Sequence, residues 1–382
     1  MPDGGNNNAS SDWQYKSWFS YYSLIFSLLL VSVCVCGIVV NAFSALVYLQ
    51  RDFRRLSINV LLGALSIADM LMLTFAVPVF LCGPLSVFYP TVSTAHAIST
   101  VLCYPLTTVF KTISIWLLIV ISFERWLAVT KPLLVEWLCT RKRAFWSIAA
   151  VSIVSLLYNL CRFWEFRLGA DFQLRILLRS NKLYMLWYVT VAKMVTTYVI
   201  PLGLLITFNL FIVSNLTEST RQRRKLSGRQ KADQGTTTML VYIVLVFVVC
   251  YTMSFALNLL ETLKPQIFLT ELGFVLSDLN NFFVSANSAS TFLLYYKFSS
   301  RFRQKSKRLV RGVLHSRASN LDFTLLTLPS TTYRLRRTSS LHRFRTSPSD
   351  SYNRRRSQTN PESLHSFVTA RGQARWTDLN EV

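Results

Sequence analysis

Seven apolar stretches, each long enough to cross a lipid bilayer, occupy most of the 382-residue chain and limit its fold more than any other feature. About 20 apolar residues in a helix span a hydrocarbon core of about 30 Å while satisfying their own backbone hydrogen bonds. The stretch 237–260 contains no Asp, Glu, Lys or Arg, so it lacks the charged outer face of a helix in a soluble bundle. The sequence therefore predicts an all-α membrane protein, a bundle of seven transmembrane helices at 21–49, 57–82, 98–129, 144–163, 187–214, 237–263 and 274–296.

Basic residues are concentrated in the three loops that follow the first, third and fifth spans. They are Arg51, Arg54 and Arg55, then Lys131, Arg141, Lys142 and Arg143, then Arg221, Arg223, Arg224, Lys225, Arg229 and Lys231. Loops rich in Lys and Arg stay in the cytoplasm, which predicts a multi-pass plasma-membrane protein with its amino terminus outside, although the segment 162–182 is basic as well. Residues 1–20 then form a short extracellular segment without the pattern of a signal peptide, and Asn8 in Asn-Ala-Ser is its candidate glycosylation site.

The segment after the last span is basic and poor in aliphatic residues. From Lys297 to Val382 it holds 18 Lys and Arg against 5 Asp and Glu, and the whole chain has a net charge of +23. Residues 297–310 mix Phe298, Phe302 and Leu309 with basic residues, which predicts a short amphipathic helix on the membrane surface. Residues 311–382 are predicted to be a disordered, Ser/Thr-rich cytoplasmic tail that binds anionic lipid and is phosphorylated. The candidate phosphorylation sites, which follow runs of arginine, are Thr338, Ser339, Ser340 and Ser357.

Charged residues inside the spans are the main candidates for functional sites. A charge near the middle of a spanning helix costs about 2.5 to 3.5 kcal/mol on insertion scales, so few are retained without a purpose. In this chain they are Asp69, Lys111, Lys193 and the pair Glu124-Arg125.

These residues and their neighbours resemble, span by span, the landmarks of rhodopsin-family (class A) G-protein-coupled receptors. The first three spans contain Asn41, Leu65-Ser66-Ile67-Ala68-Asp69 for Leu-x-x-Ala-Asp, and Glu124-Arg125-Trp126 for Glu/Asp-Arg-Tyr. The next three contain Trp146, Pro201 and Phe247-x-x-Cys250. The resemblance covers 21–310 and implies a receptor, not an enzyme, that needs no cofactor and passes agonist binding to a heterotrimeric G protein. It also implies that arrestin and receptor kinases act on the tail.

The resemblance assigns a conformational switch to the cytoplasmic ends of the spans. It implies that Arg125 is held by Glu124, with Asp233 as a second acidic partner, and swings free on activation to meet the G protein. The other members of this coupling surface are Trp126, Pro132, Leu133 and Tyr295.

A second set of polar residues lies at positions where similar receptors build a water-filled sodium pocket. Its members are Asn41, Asp69, Ser114, Asn287 and Ser288. Their oxygen atoms suit a hard cation. The sequence leaves open the alternative that Asp69 only anchors a polar network between spans one, two and seven, or is protonated.

Three features depart from the family's pattern. The seventh span reads Thr291-Phe292-Leu293-Leu294-Tyr295 in place of Asn-Pro-x-x-Tyr, and Met253 stands where the sixth span commonly has a kinking proline. Similar receptors have a disulfide from the third span to the second extracellular loop, yet residues 162–186 contain no cysteine. The sequence leaves open whether any two of Cys82, Cys103 and Cys161 pair or all remain free thiols.

The segment that leaves the fourth span resembles a narrower group. Residues 158–165, Tyr-Asn-Leu-Cys-Arg-Phe-Trp-Glu, match the Tyr-Asn-x-Pro-Arg-Phe-Phe/Trp-Glu signature of invertebrate FMRFamide-type neuropeptide receptors, with Cys161 in place of proline. This implies an extracellular amidated peptide, whose Arg needs a carboxylate and whose Phe needs an aromatic pocket. The predicted ligand pocket comprises Tyr104, Thr107, Lys111, Trp164, Glu165, Lys193, Tyr251, Glu261 and Asp278.

Lys111 and Lys193 favour a different ligand, since two ammonium groups facing one cavity attract an anion unless the acidic residues neutralise them. An orphan or chemosensory-type receptor for an acidic lipid or a carboxylate metabolite is therefore an alternative function. A seven-helix transporter is disfavoured because the two halves of the chain show no similarity. The scattered Cys and His give no zinc spacing or nucleophile motif of an enzyme, and no nucleic-acid partner is expected.

Overall fold

The computed structural model describes residues 6–222, 228–264, 266–267 and 270–311, with side chains described for 18–215 except positions 132 and 136, and from 238 onward. Within these residues seven long helices follow one another. The first four are α1 (Asn6–Tyr48), α2 (Ser57–Phe88), α3 (Pro90–Thr130) and α4 (Arg141–Asn159). The remaining three are α5 (from Lys182 to Gln222), α6 (Gly228–Leu263) and α7 (Glu271–Phe298).

Two of these helices contain wider, π-helical turns, at Ser99–Cys103 in α3 and at Met185–Ala192 and Met194–Val199 in α5. A helix usually widens in this way only over a single turn, and often beside a functional site. The turns in α3 and α5 lie near the ends of these helices where Lys111 and Lys193 are found. The π-helical turns therefore indicate a functional site at this end of the bundle.

Each predicted span lies on one of the seven helices, to within one residue at position 49 and with the fourth span continuing into a 3₁₀ turn at Leu160–Trp164. The helices extend beyond the apolar runs, since α1 begins at Asn6 and not at 21. Among the described residues six helices are long and apolar enough to cross a membrane. α7 is not one of them, because Asp278, Asn280, Asn281 and Asn287 interrupt its apolar residues.

The helices pack in a closed ring around α3. α1 contacts α2 and α7, α6 contacts α7 and α5, and α4 contacts α2. The ring closes between α4 and α5, where Tyr188 and Thr196 of α5 donate hydrogen bonds to Tyr158 of α4. α3 contacts α2, α4 and α5 and lies inside the ring. The core therefore consists of apolar side chains from the central helices, such as Leu61, Leu117, Ile121 and Phe247, all of which are buried.

The outer surface of this bundle is apolar. Ile25 and Val39 on α1, and Ile153 and Leu157 on α4, are more than half exposed. A soluble protein rarely exposes contiguous apolar surface of this extent, whereas lipid tails are a favourable solvent for it. The exposure pattern agrees with a protein embedded in a bilayer.

Local sequence signals account for several helix ends. The Thr140 hydroxyl accepts a hydrogen bond from the backbone N–H of Arg143 at the start of α4. The Asn181 side chain accepts hydrogen bonds from Leu183 and Tyr184 at the start of α5. Side-chain oxygens at these positions satisfy backbone donors that the first turn leaves free. A short helix, Pro132–Leu138, links α3 to α4, with proline in the first position as helices favour.

A small hairpin follows α4, which the all-α prediction did not include. Strands β1 (Phe166–Leu168) and β2 (Leu174–Ile176) are antiparallel, with Arg167 opposite Arg175. The turn places Phe172 at a φ of 57°, in the left-handed region that costs a side chain energy. Three-residue strands are too short to give a clear alternating pattern in the sequence. We call this end of the bundle the hairpin end and the opposite end the Arg125 end.

A further helix, α8, covers 300–311 and agrees with the predicted amphipathic helix. Phe302 is fully buried against Tyr48 and Tyr295, with ring centroids 5.1 and 5.6 Å away. One turn further along this helix, Lys305 Nζ donates a hydrogen bond to Asp52 Oδ2 at 3.1 Å, and this bond lowers the pKa of the Asp52 carboxyl. α8 is thus held to α1 and α7 through aromatic packing. The tail, with Thr338, Ser339, Ser340 and Ser357, lies outside the described residues.

Candidate functional site

A cavity of about 210 Å³ lies between the helices at the hairpin end. It is bounded by the second half of α2, the first halves of α3 and α7, the end of α4 and the middle of α5. Its polar and aromatic lining includes Tyr104, Thr107, Lys111, Tyr158, Arg162, Lys193, Tyr198 and Asn280. A second, smaller cavity of about 60 Å³ adjoins it, and Lys193, Tyr198 and Asn280 line both.

Four of the nine predicted pocket residues line the larger cavity, namely Tyr104, Thr107, Lys111 and Lys193. Glu261 lines the smaller cavity. Tyr251 is buried behind the larger one, with its ring centroid 5.3 Å from Lys111 Nζ. The other three, Trp164, Glu165 and Asp278, line neither cavity.

Glu165 is used inside the protein. Arg162 Nη1 forms a buried ion pair with Glu165 Oε1 at 3.0 Å. The same nitrogen donates a hydrogen bond to Tyr104 Oη at 3.1 Å, and Tyr184 Oη donates to Glu165 Oε1 at 2.7 Å. Trp164, which lies between the two charged residues, is 52% exposed. Glu165 was predicted to bind a guanidinium of the ligand. In the structure the guanidinium of Arg162 already occupies this carboxylate. Arg162 was not among the predicted pocket residues.

The residues just before Arg162 tie α4 to its neighbours. Asn159 Nδ2 donates to Thr112 Oγ1 on α3 at 3.0 Å, and the Tyr158 hydroxyl accepts a hydrogen bond from Thr196 on α5 at 2.8 Å. Tyr188 Oη donates to the Tyr158 carbonyl at 2.7 Å. The polar residues of the segment 158–165 thus point into the bundle. This gives a physical reason for a polar signature where an apolar span ends.

A polar network lies deeper in the bundle, around Asp69. Asp69 Oδ1 accepts hydrogen bonds from Ser114 Oγ at 2.6 Å and from Ser288 Oγ at 3.3 Å. Asn41 Nδ2 donates to the carbonyls of Ser288 and Gly37, both at 3.0 Å. Four of the five predicted residues are therefore brought together. Asn287, the fifth, lies on the half-buried face of α7 beside Ser288.

At the Arg125 end, Glu124 is bound to α2. Ser57 Oγ donates a hydrogen bond to Glu124 Oε1 at 2.6 Å, and the carboxylate is buried. The indole of Trp126 packs on Phe123 and Phe208, at 5.6 and 5.7 Å between centroids. Ser57 is thus a partner of the predicted switch that the sequence did not reveal.

The other predicted members of the coupling surface lie in different settings. Leu133, in the short helix that begins at Pro132, is 90% exposed. Tyr295 is fully buried against Tyr48, with ring centroids 5.1 Å apart. Asp233 lies on α6, in a part whose side chains are outside the described ones, and so does Asn8 near the start of α1.

The seven cysteines of the chain all lie within the described residues and are free thiols. The open question about Cys82, Cys103 and Cys161 is thus answered for this structure, in favour of no disulfide. The loop 165–181 is joined to the bundle by other means. Leu177 N–H donates to the Glu165 carbonyl at 3.0 Å, so the buried ion pair also holds the hairpin.

A bundle of seven helices, an interior polar network and a cavity at one end are the framework of a helical membrane receptor. A family model described as 7 transmembrane receptor (rhodopsin family) matches residues 41–295, most of the chain. The chain belongs to the rhodopsin family of seven-transmembrane receptors. As a family member it is a multi-pass membrane protein, and the resemblance seen in its sequence motifs is confirmed.

Individual relatives of this receptor have informative names. It is 30% identical to the FMRFamide peptide receptor frpr-18 of Caenorhabditis elegans and 28% identical to the FMRFamide receptor of Drosophila melanogaster, each over 71% of this chain. The matches span 66% and 52% of those relatives' lengths. The Allatostatin-A receptor of Bombyx mori is 23% identical over 81% of this chain and 86% of its own. The resemblance to FMRFamide-type receptors is thus confirmed.

Proposed function

We propose that this receptor binds an extracellular amidated neuropeptide related to FMRFamide and activates a heterotrimeric G protein. The observation that carries the proposal is the cavity at the hairpin end, which lies at the opposite end of α3 from Glu124 and Arg125. Support also comes from the two relatives named for FMRFamide, to which the receptor is similar over its helical region. The receptor would lie in the plasma membrane with its amino terminus outside, as the basic loops predict.

The cavity suits the end of a peptide. Its volume of about 210 Å³ is below the roughly 300 Å³ at which pockets for drug-sized ligands begin, so most of a peptide would lie outside it. Tyr104, Tyr158 and Tyr198 offer aromatic surface to a phenylalanine side chain. Glu261 in the adjoining cavity is the carboxylate that an arginine of the ligand would reach.

Transmission would pass through the Asp69 network. Ser114 on α3 and Ser288 on α7 both donate to one carboxylate on α2, so a small movement of any of the three helices changes these bonds. An agonist that binds one arrangement better than the other shifts the population toward it. Ser114 lies one turn from Lys111, which lines the cavity, so the network and the cavity share α3.

At the Arg125 end the proposal assigns G-protein contact to Arg125, Pro132 and Leu133. Glu124 and Asp233 would hold the arginine in the resting state. Trp126 and Tyr295, packed among aromatic side chains, would set the positions of α3 and α7. The tail would bind arrestin, receptor kinases and anionic lipid, with phosphorylation at Thr338, Ser339, Ser340 and Ser357 and glycosylation at Asn8.

An acidic lipid or carboxylate metabolite is a second candidate ligand. Lys111, Arg162 and Lys193 all line the larger cavity, and three cationic side chains in one cavity favour an anionic ligand. A ligand of this kind needs no terminal amide. The two candidates are therefore separated by testing amidated peptides beside free acids.

The proposal is tested in cells that express the full chain, with calcium and cAMP readouts. Amidated peptides ending in Arg-Phe-amide are compared with the same peptides as free acids and with a panel of fatty and dicarboxylic acids. We expect responses to the amides alone, and Arg125→Ala should abolish them while agonist binding persists. Two results, each obtained with the receptor at the cell surface, would falsify the proposal. One is a response to the acids alone, and the other is agonist-evoked solute flux without GTP exchange.

A further inference from the structure

Two lysines face the same cavity from different helices. Lys111 on α3 and Lys193 on α5 are partly buried and both line the larger cavity. Lys111 Nζ lies over the ring face of Tyr251, 5.3 Å from the ring centroid. Among the described residues neither ammonium has a carboxylate oxygen within 4.0 Å, the distance that defines the three ion pairs found there.

The acidic residues near the cavity are engaged elsewhere. Glu165 is bound by Arg162 and Tyr184, and Asp69 by two serine hydroxyls. Glu261 lines the smaller cavity together with Lys193, so it offsets part of that charge. No acidic residue is found among the described residues that line the larger cavity, whereas three cationic ones are. Lys111 is therefore the least balanced charge of the site.

A buried charge without a partner is unfavourable, because it has lost water and gained nothing in exchange. A ligand that brings an anion restores the missing interaction when it binds. Amidated peptides without an acidic residue would leave Lys111 unbalanced. The cavity should therefore distinguish peptides by charge.

We propose that the ligand presents an acidic side chain, a carboxylate or a sulfate ester, to Lys111, with Lys193 as the second and weaker contact. This inference rests on the proposed function, since it takes the ligand to be an amidated peptide. It adds a requirement on that peptide, an acidic residue close enough to its amidated end to enter the cavity. Lys111 is then the residue that determines specificity.

Matched peptides test the inference in cells that express the full chain. Tetrapeptides that end in Arg-Phe-amide are made with Asp or Asn, and with Glu or Gln, at each of the first two positions. We expect the best peptide with Asp or Glu to be about tenfold more potent than its partner with Asn or Gln at the same position, the effect of one charge-assisted contact. Lys111→Gln should remove this difference by weakening the response to the acidic peptide alone. Lys193→Gln should reduce it partly.

Lys182→Gln is the matched control, because Lys182 is an exposed lysine at the same end of α5 that does not line either cavity. It should leave the tenfold difference intact, which separates a contact in the cavity from general attraction. Lys111→Arg, which keeps the charge, should retain the preference. An unchanged response of Lys111→Gln to the Asn and Gln peptides shows that this variant is folded.

The outcomes separate the two proposals. Equal potency of the Asp or Glu peptides and their Asn or Gln partners on the unmodified receptor overturns the inference and leaves the proposed function standing. Responses to none of the peptides, on cells with the receptor at their surface, overturn the proposed function and with it the peptide form of the inference. A preference that survives Lys111→Gln overturns the assignment to Lys111.

Discussion

Arg162 and Glu165 form a buried ion pair, with 3.0 Å between Nη1 and Oε1 and with 5% and 1% of their side chains exposed. Tyr104 on α3 and Tyr184 on α5 add hydrogen bonds to this pair, whereas Arg162 Nε and Glu165 Oε2 have no hydrogen-bond partner among the described residues. The pair therefore joins the end of α4 to two other helices. Since the loop that follows contains no cysteine, these bonds replace a covalent link in holding it.

Breaking this pair from one side should destabilise the receptor. Glu165→Gln leaves the Arg162 guanidinium buried without its counter-charge, which costs about 3 kcal/mol or more in comparable sites. We expect a lower midpoint of thermal unfolding for the detergent-purified receptor. The double variant Arg162→Met with Glu165→Leu should lose less than the two single changes added together, because no isolated charge remains.

The hairpin supplies an exposed pair for comparison. Arg175 and Asp171 are 3.7 Å apart and largely exposed. Asp171→Asn should change stability by less than about 1 kcal/mol, as is usual for surface pairs. If Glu165→Gln and Asp171→Asn lower the unfolding midpoint equally, burial does not decide the contribution of the Arg162–Glu165 pair.

Close approach of three helices at Gly37 gives a second prediction. A Cβ atom placed on Gly37 would lie 2.5 Å from Leu73 Cδ1 and 3.1 Å from Ala289 Cβ. Gly37→Ala should therefore destabilise the bundle by about 1 to 3 kcal/mol through overpacking. Gly203→Ala on α5 is the control, since nothing lies within 4 Å of its added Cβ, and it should be neutral or stabilising. Equal unfolding midpoints for the two variants would rule out this account.

The helices could be predicted from the sequence because run length is a local property. The thickness of the hydrocarbon core sets the length of an apolar run, and each predicted span does lie on a helix. The hairpin could not be predicted, because three-residue strands are stabilised by pairing with each other and not by their own composition. Likewise α1 continues outward to Asn6, beyond the part that the apolar run marks.

The site was only partly predictable, for a different reason. Sequence identifies costly polar residues but not the partners that neutralise them. Glu165 was predicted to await a ligand and is bound by Arg162, while Glu124 accepts a hydrogen bond from Ser57. Ser57 is distant from Glu124 in the sequence, and the sequence does not show that Arg162 turns toward Glu165, so only packing reveals these partners. Asp69, Ser114 and Ser288 were found because the family's motifs record such a packing.

The Asp69 network predicts an effect of sodium on agonist binding. The hydroxyl oxygens of Ser114 and Ser288 lie 2.6 and 3.3 Å from Asp69 Oδ1, and oxygen atoms of this kind suit a hard cation. We expect agonist affinity to fall when sodium chloride replaces choline chloride at constant ionic strength. Asp69→Asn should remove that dependence. A receptor with the same affinity in both salts would favour a network that works without a cation.

The Ser57–Glu124 hydrogen bond predicts a change in basal signalling. The Ser57 hydroxyl on α2 is 2.6 Å from Glu124 Oε1 on α3, and the second oxygen, Oε2, has no hydrogen-bond partner among the described residues. Ser57→Ala removes the bond that holds the two helices together here, worth about 1 to 3 kcal/mol for a buried charged group. If the resting state contains this bond and the active state does not, the population shifts several-fold toward activity.

Agonist-free GTP exchange measures this shift, normalised to surface expression. Ser57→Ala should raise it, whereas Thr74→Ala should not, because the Thr74 hydroxyl on the same helix donates only to the Met70 carbonyl of its own helix. Both variants lose one hydroxyl from α2, so a general loosening of that helix would raise both. Basal exchange that is unchanged in Ser57→Ala would mean that the bond persists in the active state, and Glu124 would then not be part of the switch.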